Sequence, residues 1–581
     1  MSESPDQKPA ITPSSAAPAN PTAVVGPMPN VAPPQQPVAS PPAWGTPGVW
    51  TAHNQQALTM PPTAYPVGVL HKKPYDVDMR DSILSFVVLA YGFLAWNWIW
   101  PRLDNQSGVP VGLAPSIHFP ALGVTAFFAL AVACSLIYFR LRKVRLGKAG
   151  IMGAVLILLA ALPFAIYTTT PIHFFAGMAL LVGYITWHGY AAGTAISSGL
   201  DGLTTADVLN QCFVVPFSNA GSWFASLRQL VHRRRKGTSF VFAIIGVLVA
   251  LPVIAGVLAL LMHSDSRFDT WMNRFGQAFT GVNVWHFVWQ FCLGIPLAIY
   301  MFASLHGNAH RRNTDTITRR LVSTWGVAMR KIPVAAVATP ITILCVMYVV
   351  FFAAMGSYLV SALQHTLPPD FTYAEYARQG FFELSVVVGI NLAVILIVWL
   401  FARRGADGLS ISLRVLGEVL SGLTLLLIIT AASKMVLYVD QFGLTRLRVY
   451  TLWFMAVMLI VFGLLGAWHI KAFKVGRPIA IVAIVAFLAL LWANTDAIIA
   501  DYDVNRYLSG ASKTIDTNYL ENIGQAATPA LINLMNNAPD PTVRQDATDA
   551  VQNLATAGTL HGTPWTSWTW QTWQADRQLG R

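Results

Sequence analysis

Residues 372–400 read TYAEYARQGFFELSVVVGINLAVILIVWL, a head of charges and aromatics that runs unbroken into apolar residues. Tyr373, Glu375, Tyr376 and Arg378 make the head, and one carboxylate, Glu383, sits inside the apolar run. A carboxylate at the centre of a bilayer costs roughly 2.5–3.5 kcal/mol on insertion scales, and less near the interface. The stretch therefore predicts a membrane-crossing helix with a polar group that needs a reason.

The rest of the chain has the same texture. Of 581 residues, 55% are hydrophobic and only 11% are charged, against about 25% charged in a soluble domain. The apolar residues gather into runs long enough to cross a hydrocarbon core of roughly 30 Å. Eleven such runs are readable, at 82–100, 116–139, 149–167, 172–196, 239–262, 285–305, 334–359, 380–401, 415–438, 452–470 and 479–499. The expected fold is an all-α integral membrane protein, a polytopic bundle of about eleven transmembrane helices occupying 75–500.

Basic residues set the orientation, because cytoplasmic loops carry the Lys/Arg excess. With the N-terminus inside, the inner segments hold 26 Lys and Arg and the outer loops six. One miscounted run would move every later loop to the other side and erase that bias. The reading is N-in, C-out, and it assigns the net charge of +12 to membrane orientation and not to nucleic acid.

Residues 1–74 form a separate regime. Sixteen of the 35 prolines lie between Pro5 and Pro66, and no Asp, Glu, Lys or Arg occurs between Lys8 and Lys72. Such a segment buries too little to offset chain entropy, so it is expected to be a disordered, polyproline-like cytoplasmic tail. Between the fourth and fifth runs, Trp223, Phe224, Leu227, Leu230 and Val231 share a helical face ahead of Arg233 to Lys236. That pattern predicts an amphipathic helix in the inner interface. Residues 501–581 turn polar and helical in pattern, with Val543, Ala547, Ala550, Val551 and Leu554 on one face. They predict a small extracytoplasmic helical unit, like a single helical repeat, that packs on the membrane portion. Trp565, Trp568, Trp570 and Trp573 place the end of the chain against the outer surface.

The topology gathers charge at the outer ends of the last four runs. Glu375, Arg378, Glu383, Asp440, Arg446, Arg448 and Asp496 are the candidate ligand- or ion-binding residues, with Lys434 nearby. Glu375 and Arg378 are three apart and can pair on one helix turn. The competing reading is a set of structural ion pairs at helix ends. Asn391 reads as an interhelical hydrogen bond. His188, His286, His310 and His469 show no metal-ligand spacing, and no Walker loop, GxSxG or GxGxxG with a nucleotide domain appears. No catalytic residue, cofactor or metal is expected.

Several longer motifs add a family likeness. TYAEYARQGFFEL, LYVDQFGLTRLRVYTLWFM at 437–455, NTDAIIADYDVNRYLSG at 494–510 and IDTNYL…ATPAL at 515–531 resemble a bacterial multi-pass membrane family. It is the one catalogued as domain of unknown function 4173. The likeness covers about residues 75–581, departs at Thr495, where the family pattern has Pro, and implies a plasma-membrane protein of the bacterial envelope. It implies no reaction. The expected partners are the bilayer and an envelope protein or small ligand on the outer face. Function divides between a non-enzymatic sensing or scaffold protein and a secondary transporter or ion-coupled permease using Glu383 and Asp496.

Overall fold

In a bilayer each backbone N–H and C=O must be bonded within the protein, so an apolar run of about 20 residues has to coil. The computed structural model describes residues 75–98, 102–103, 117–118, 121–168, 171–197, 199–233, 284–363, 381–405, 408–471, 473–557 and 565–580, with isolated positions between 257 and 268. The tail 1–74, almost all of the fifth run, and Glu375 and Arg378 lie outside the described residues.

The helices are α1 (Met79–Trp98), α2 (Ala121–Leu141), α3 (Lys148–Ile166) and α4 (Pro171–Ala192). A short group follows, with α5 (Thr204–Leu209), a π turn (Asn210–Val214), α6 (Val215–Asn219) and α7 (Gly221–Arg233). Then come α8 (Val284–Ala309), α9 (Arg319–Met329), α10 (Val334–Leu363), α11 (Phe381–Phe401), α12 (Ile411–Phe442), α13 (Arg446–Ile470) and α14 (Gly476–Trp492). The last helices are α15 (Thr495–Leu508), α16 (Thr517–Ile523), α17 (Thr528–Asn537), α18 (Pro541–Ala557) and α19 (Trp570–Gln578). Two-residue strands, Arg102–Leu103 and Ile117–His118, pair antiparallel.

Seven described segments are long and apolar enough to cross a membrane: Ala121–Leu141, Lys148–Ile166, Gln290–Ala309, Val334–Ala354, Glu383–Phe401, Ile411–Phe442 and Arg446–Ile470. The pair α14 and α15, bent by 59°, makes an eighth if taken together. The first and fourth runs do form helices, α1 and α4, but neither is among the seven. Asp81 in α1 and His173 and His188 in α4 lower their apolar character. On the long helices large apolar side chains face outward, with Ile137 60%, Val350 61% and Val386 62% exposed, as a lipid solvent permits.

Inside, α1 to α4, α7 and α8 share one core around Phe127, Phe128, Phe139, Trp187 and Phe302. A second core joins α10 to α13 through Val388, Leu420, Leu427 and Phe462. Helix α14 touches both, by Leu491 on the first and Val482 on the second. Helices α1 and α8 meet backbone to backbone at Gly92 and Gly294, where a Cβ on Gly92 would lie 2.3 Å from the Gly294 carbonyl oxygen. Asn391 is buried and ties three helices, accepting from Tyr348 at 2.7 Å and donating to Thr424 at 2.9 Å, the role its mid-span position predicts.

Helix α7 forms where expected, and part of its apolar face turns into the bundle while Phe224 stays 46% exposed. Trp223 and Leu227 are buried in the first core, and the Ser226 carbonyl accepts from Ser82 of α1 at 2.8 Å. Two bulky side chains gain more by filling the gap beside α1 than by lying at an interface. At the far end, α15 to α18 form a third core around Ile499, Val504, Leu520, Leu531, Leu534 and Ala547. The elbow between α14 and α15 is Asn494, at φ +46°, a left-handed conformation that Asn tolerates better than most residues.

Candidate functional site

Among the described residues singled out for the site, the structure brings Arg446 and Asp496 into direct contact, while Glu375 and Arg378 lie outside the described residues. Arg446 opens α13 and Asp496 opens α15, and the guanidinium meets the carboxylate in a fork, Nε to Oδ1 at 2.8 Å and Nη2 to Oδ2 at 2.7 Å. Arg446 also donates from its amide to the Tyr519 hydroxyl (2.8 Å) and from Nη2 to the Ile523 carbonyl (3.2 Å). The pair thus joins a membrane helix to α16 and leaves no free charge for a ligand.

The neighbours are spent elsewhere. Arg448 donates to the Phe442 carbonyl at 2.8 Å and the Gly443 carbonyl at 2.5 Å, closing the end of α12, and lies over the Tyr438 ring. Asp440 is exposed, and its carbonyl accepts from Arg506. Glu383 opens α11 with its side chain exposed and the Lys434 charge within reach.

The richer chemistry lies where α1 begins and α2 and α8 end. Asp81 is fully buried in the first turn of α1. Its Oδ1 accepts from the Tyr138 hydroxyl at 2.7 Å and lies against the Arg142 guanidinium, and its Oδ2 accepts from the Asp78 amide at 3.0 Å. Arg142 in turn forks onto Asp78, Nη1 to Oδ2 at 2.8 Å and Nη2 to Oδ1 at 2.6 Å. Burial works to raise the Asp78 carboxyl, but the Arg142 hydrogen bond and charge and two backbone amides outweigh it and hold it below the usual range.

Facing Asp81 are two imidazoles, His306 of α8 and His310 just past its last residue. His310 Nε2 is 3.6 Å from Oδ1 and His306 Nε2 is 4.0 Å from Oδ2, with the rings stacked 4.2 Å apart. Neither distance is a hydrogen bond. His306 Nδ1 and His310 Nε2 are buried without a hydrogen-bond partner among the described residues. The spacing His306-Gly-Asn-Ala-His310 puts both rings on one face at the end of α8. That i,i+4 pair was the available sequence signal, and scanning for HExxH passes over it.

From this cluster a buried polar seam runs into the bundle. Tyr184 and Ser135 hydroxyls are 2.7 Å apart, Ser135 lies 3.5 Å from His188 Nε2, and His188 Nδ1 is 2.8 Å from Ser304. Asn308 donates to the Ser304 carbonyl (2.9 Å) and to Gln211 (2.8 Å). Gln211 belongs to the π turn, a feature frequent at functional sites. Gly189 gives it room, since a Cβ there would sit 2.4 Å from the Gln211 amide nitrogen.

Beside the seam Asp207 is fully buried and gathers the 196–197 loop, accepting from the Ile196 amide (2.6 Å), the Ser197 amide (3.1 Å), the Ser197 hydroxyl and the Tyr190 hydroxyl (3.1 Å). Asp207→Asn turns one acceptor towards a donor and is expected to cost about 1 kcal/mol or slightly more. The measurement is the thermal unfolding midpoint in detergent; an unchanged midpoint refutes the role. A cavity of about 450 Å³ between α3, α4 and α14 is lined almost wholly by apolar side chains and holds none of the charged groups.

The end of the chain docks on the opposite side of the bundle from Asp81. Gln571 of α19 accepts from the Thr168 amide (2.9 Å) after α3 and donates to Asn494 (3.2 Å) at the elbow. Trp570 and Trp573 stack 4.7 Å apart.

A family model described as Domain of unknown function (DUF4153) matches residues 151–534, well over half of the 581-residue chain. A second, described as Armadillo/beta-catenin-like repeat, matches residues 520–556, which is most of α16 to α18. No curated protein and no solved structure matches. The family number expected from the motifs is thereby corrected from 4173 to 4153. The motif at 437–455 encodes a helix end, a cap at Thr445 and an apolar run, features that do not single out one multi-pass family.

Proposed function

The chain belongs to the DUF4153 family, and from that premise we propose a non-enzymatic sensing or scaffold protein of the bacterial plasma membrane. It crosses the membrane about eleven times, N-in and C-out, and presents its C-terminal helical unit to the outer side. The observation that carries this reading is the armadillo-like unit held on the end of the bundle by the Arg446–Asp496 fork. Repeat units of this kind stack on neighbours and offer extended binding surfaces. Here α15 takes the neighbour's place, covering Leu531 and Leu534 of α17. Arg544, Gln545, Asp546, Asp549, Gln552 and Asn553 of α18 remain exposed as a polar face for a partner. The Lys/Arg alternation supports the orientation, and the meeting of α1, α2 and α8 ends at one side agrees with it.

The test places a single cysteine at Gln545 in a chain with its four native cysteines replaced. A membrane-impermeant maleimide is expected to label it in intact cells. Labelling only after lysis overturns the reading.

An ion-coupled permease is the second reading, favoured by the Asp81–His306–His310 cluster and the polar seam, since buried ionisable groups in membrane bundles mark ion and proton paths. It requires flux in proteoliposomes that falls in Asp81→Asn or Glu383→Gln.

A further inference from the structure

Asp81, with no exposed surface, carries the buried carboxylate at the end of the bundle and lies against the Arg142 guanidinium. Arg142 is shared, because Asp78, whose side chain is 47% exposed, also takes both of its Nη atoms, at 2.8 and 2.6 Å. A buried negative charge is costly unless a positive one accompanies it. Facing that carboxylate are two imidazoles that are not hydrogen-bonded to it: His310 Nε2 has no hydrogen-bond partner among the described residues, and His306 Nε2 makes a long contact, 3.4 Å, with the Asp76 carbonyl. A buried carboxylate with two imidazole nitrogens within reach is a ligand set.

We infer that Asp81, His306 and His310 bind one divalent transition-metal ion of the zinc type. The three residues offer ligand atoms that all lie within 4.8 Å of one another. The edge of a tetrahedron with metal–ligand arms of about 2.0–2.1 Å is roughly 3.4 Å. His310 Nε2 is 3.6 Å from Oδ1 of Asp81 and His306 Nε2 is 4.0 Å from Oδ2, so ring movements that bring both nitrogens towards one oxygen are needed to meet it. Imidazole and carboxylate select zinc, cobalt or nickel over magnesium or calcium, which prefer all-oxygen cages. The supporting groups are in place, because Tyr138, the Asp78 amide and Arg142 fix the Asp81 carboxylate, as outer partners of metal ligands do. Phe302 stacks on His306 and limits water on that side. Three protein ligands leave a fourth position open. The inference does not depend on whether the protein acts as a scaffold or a permease.

The test uses the full-length protein in detergent with a tag free of histidine, stripped with a chelator and titrated with Co²⁺. The expected result is one equivalent of Co²⁺ per chain, visible as tetrahedral d–d absorption and displaced by Zn²⁺. Tyr138→Phe is expected to weaken binding about 10-fold, and Asp81→Asn or His310→Gln to abolish it. His310 is half-buried at the end of α8, so His310→Gln keeps the test decisive if Asp81→Asn does not fold. No absorption with excess Co²⁺ overturns the inference. Equal binding by His310→Gln and the unaltered chain overturns it as well.

Discussion

Arg446→Ala is expected to destabilise the protein by about 3–5 kcal/mol and to loosen the C-terminal helices from the bundle. The effect is large because of what remains. Asp496 is 2% exposed, and without the fork its charge stays buried beside the third core with no partner. The same substitution strips the Ile523 carbonyl of a donor, so α16 loses its tie to α13. Replacing both partners at once, as Arg446→Met with Asp496→Leu, removes the charge problem together with the attraction and should cost far less. Two measurements separate these outcomes: the thermal unfolding midpoint, and proteolysis in the 510–516 connection between α15 and α16. If the single and double variants unfold alike, the fork is not what holds the unit.

The Arg446–Asp496 fork was legible from the sequence in part, and its limits are instructive. Arg446 and Asp496 were both placed at outer helix ends by counting runs and loop charges, which needs no distance information. What the count does not supply is pairing. It puts Glu383, Asp440 and Arg448 at the same level as the fork, yet Arg448 is used up on the carbonyls that end α12 and Asp440 faces outward. Helix-end chemistry competes locally for every charge, and the winner depends on side-chain reach of a few ångströms. Asp81 failed in a different way. It stands one residue ahead of the first apolar run, where a hydropathy reading treats it as a flank. Its partners His306 and His310 lie more than 200 residues later, so only the packing of α1 on α8 reveals them. The i,i+4 histidine pair was visible in the sequence, but a pair without a third ligand is weak. Trp223 shows the same competition among apolar groups, since an amphipathic pattern tells which face is apolar and not what covers it.

That packing of α1 on α8 gives the second strong prediction, for Gly92→Leu. A Cβ at Gly92 would fall 2.3 Å from the Gly294 carbonyl oxygen and 3.4 Å from the Ala298 methyl, and the carbonyl is backbone that cannot swing aside. The helices must separate or slide, at an expected cost of about 3 kcal/mol, the upper end for overpacking. Small residues at such crossings let membrane helices approach closely, and the apolar lipid gives them no other reason to stay together. The consequence reaches the buried cluster, because Asp81 is on α1, His306 is on α8 and His310 lies just past its last residue. Separation at Gly92, about three turns along α1 from Asp81, widens gaps of 3.6 and 4.0 Å that already leave little tolerance. Gly92→Leu should therefore lose Co²⁺ binding while keeping all three ligands. Gly177→Leu, on α4 where nothing lies within 4 Å of the added Cβ, should retain both binding and stability. Retained binding in Gly92→Leu, with an unchanged unfolding midpoint, would show that the close crossing does not set the geometry of the cluster.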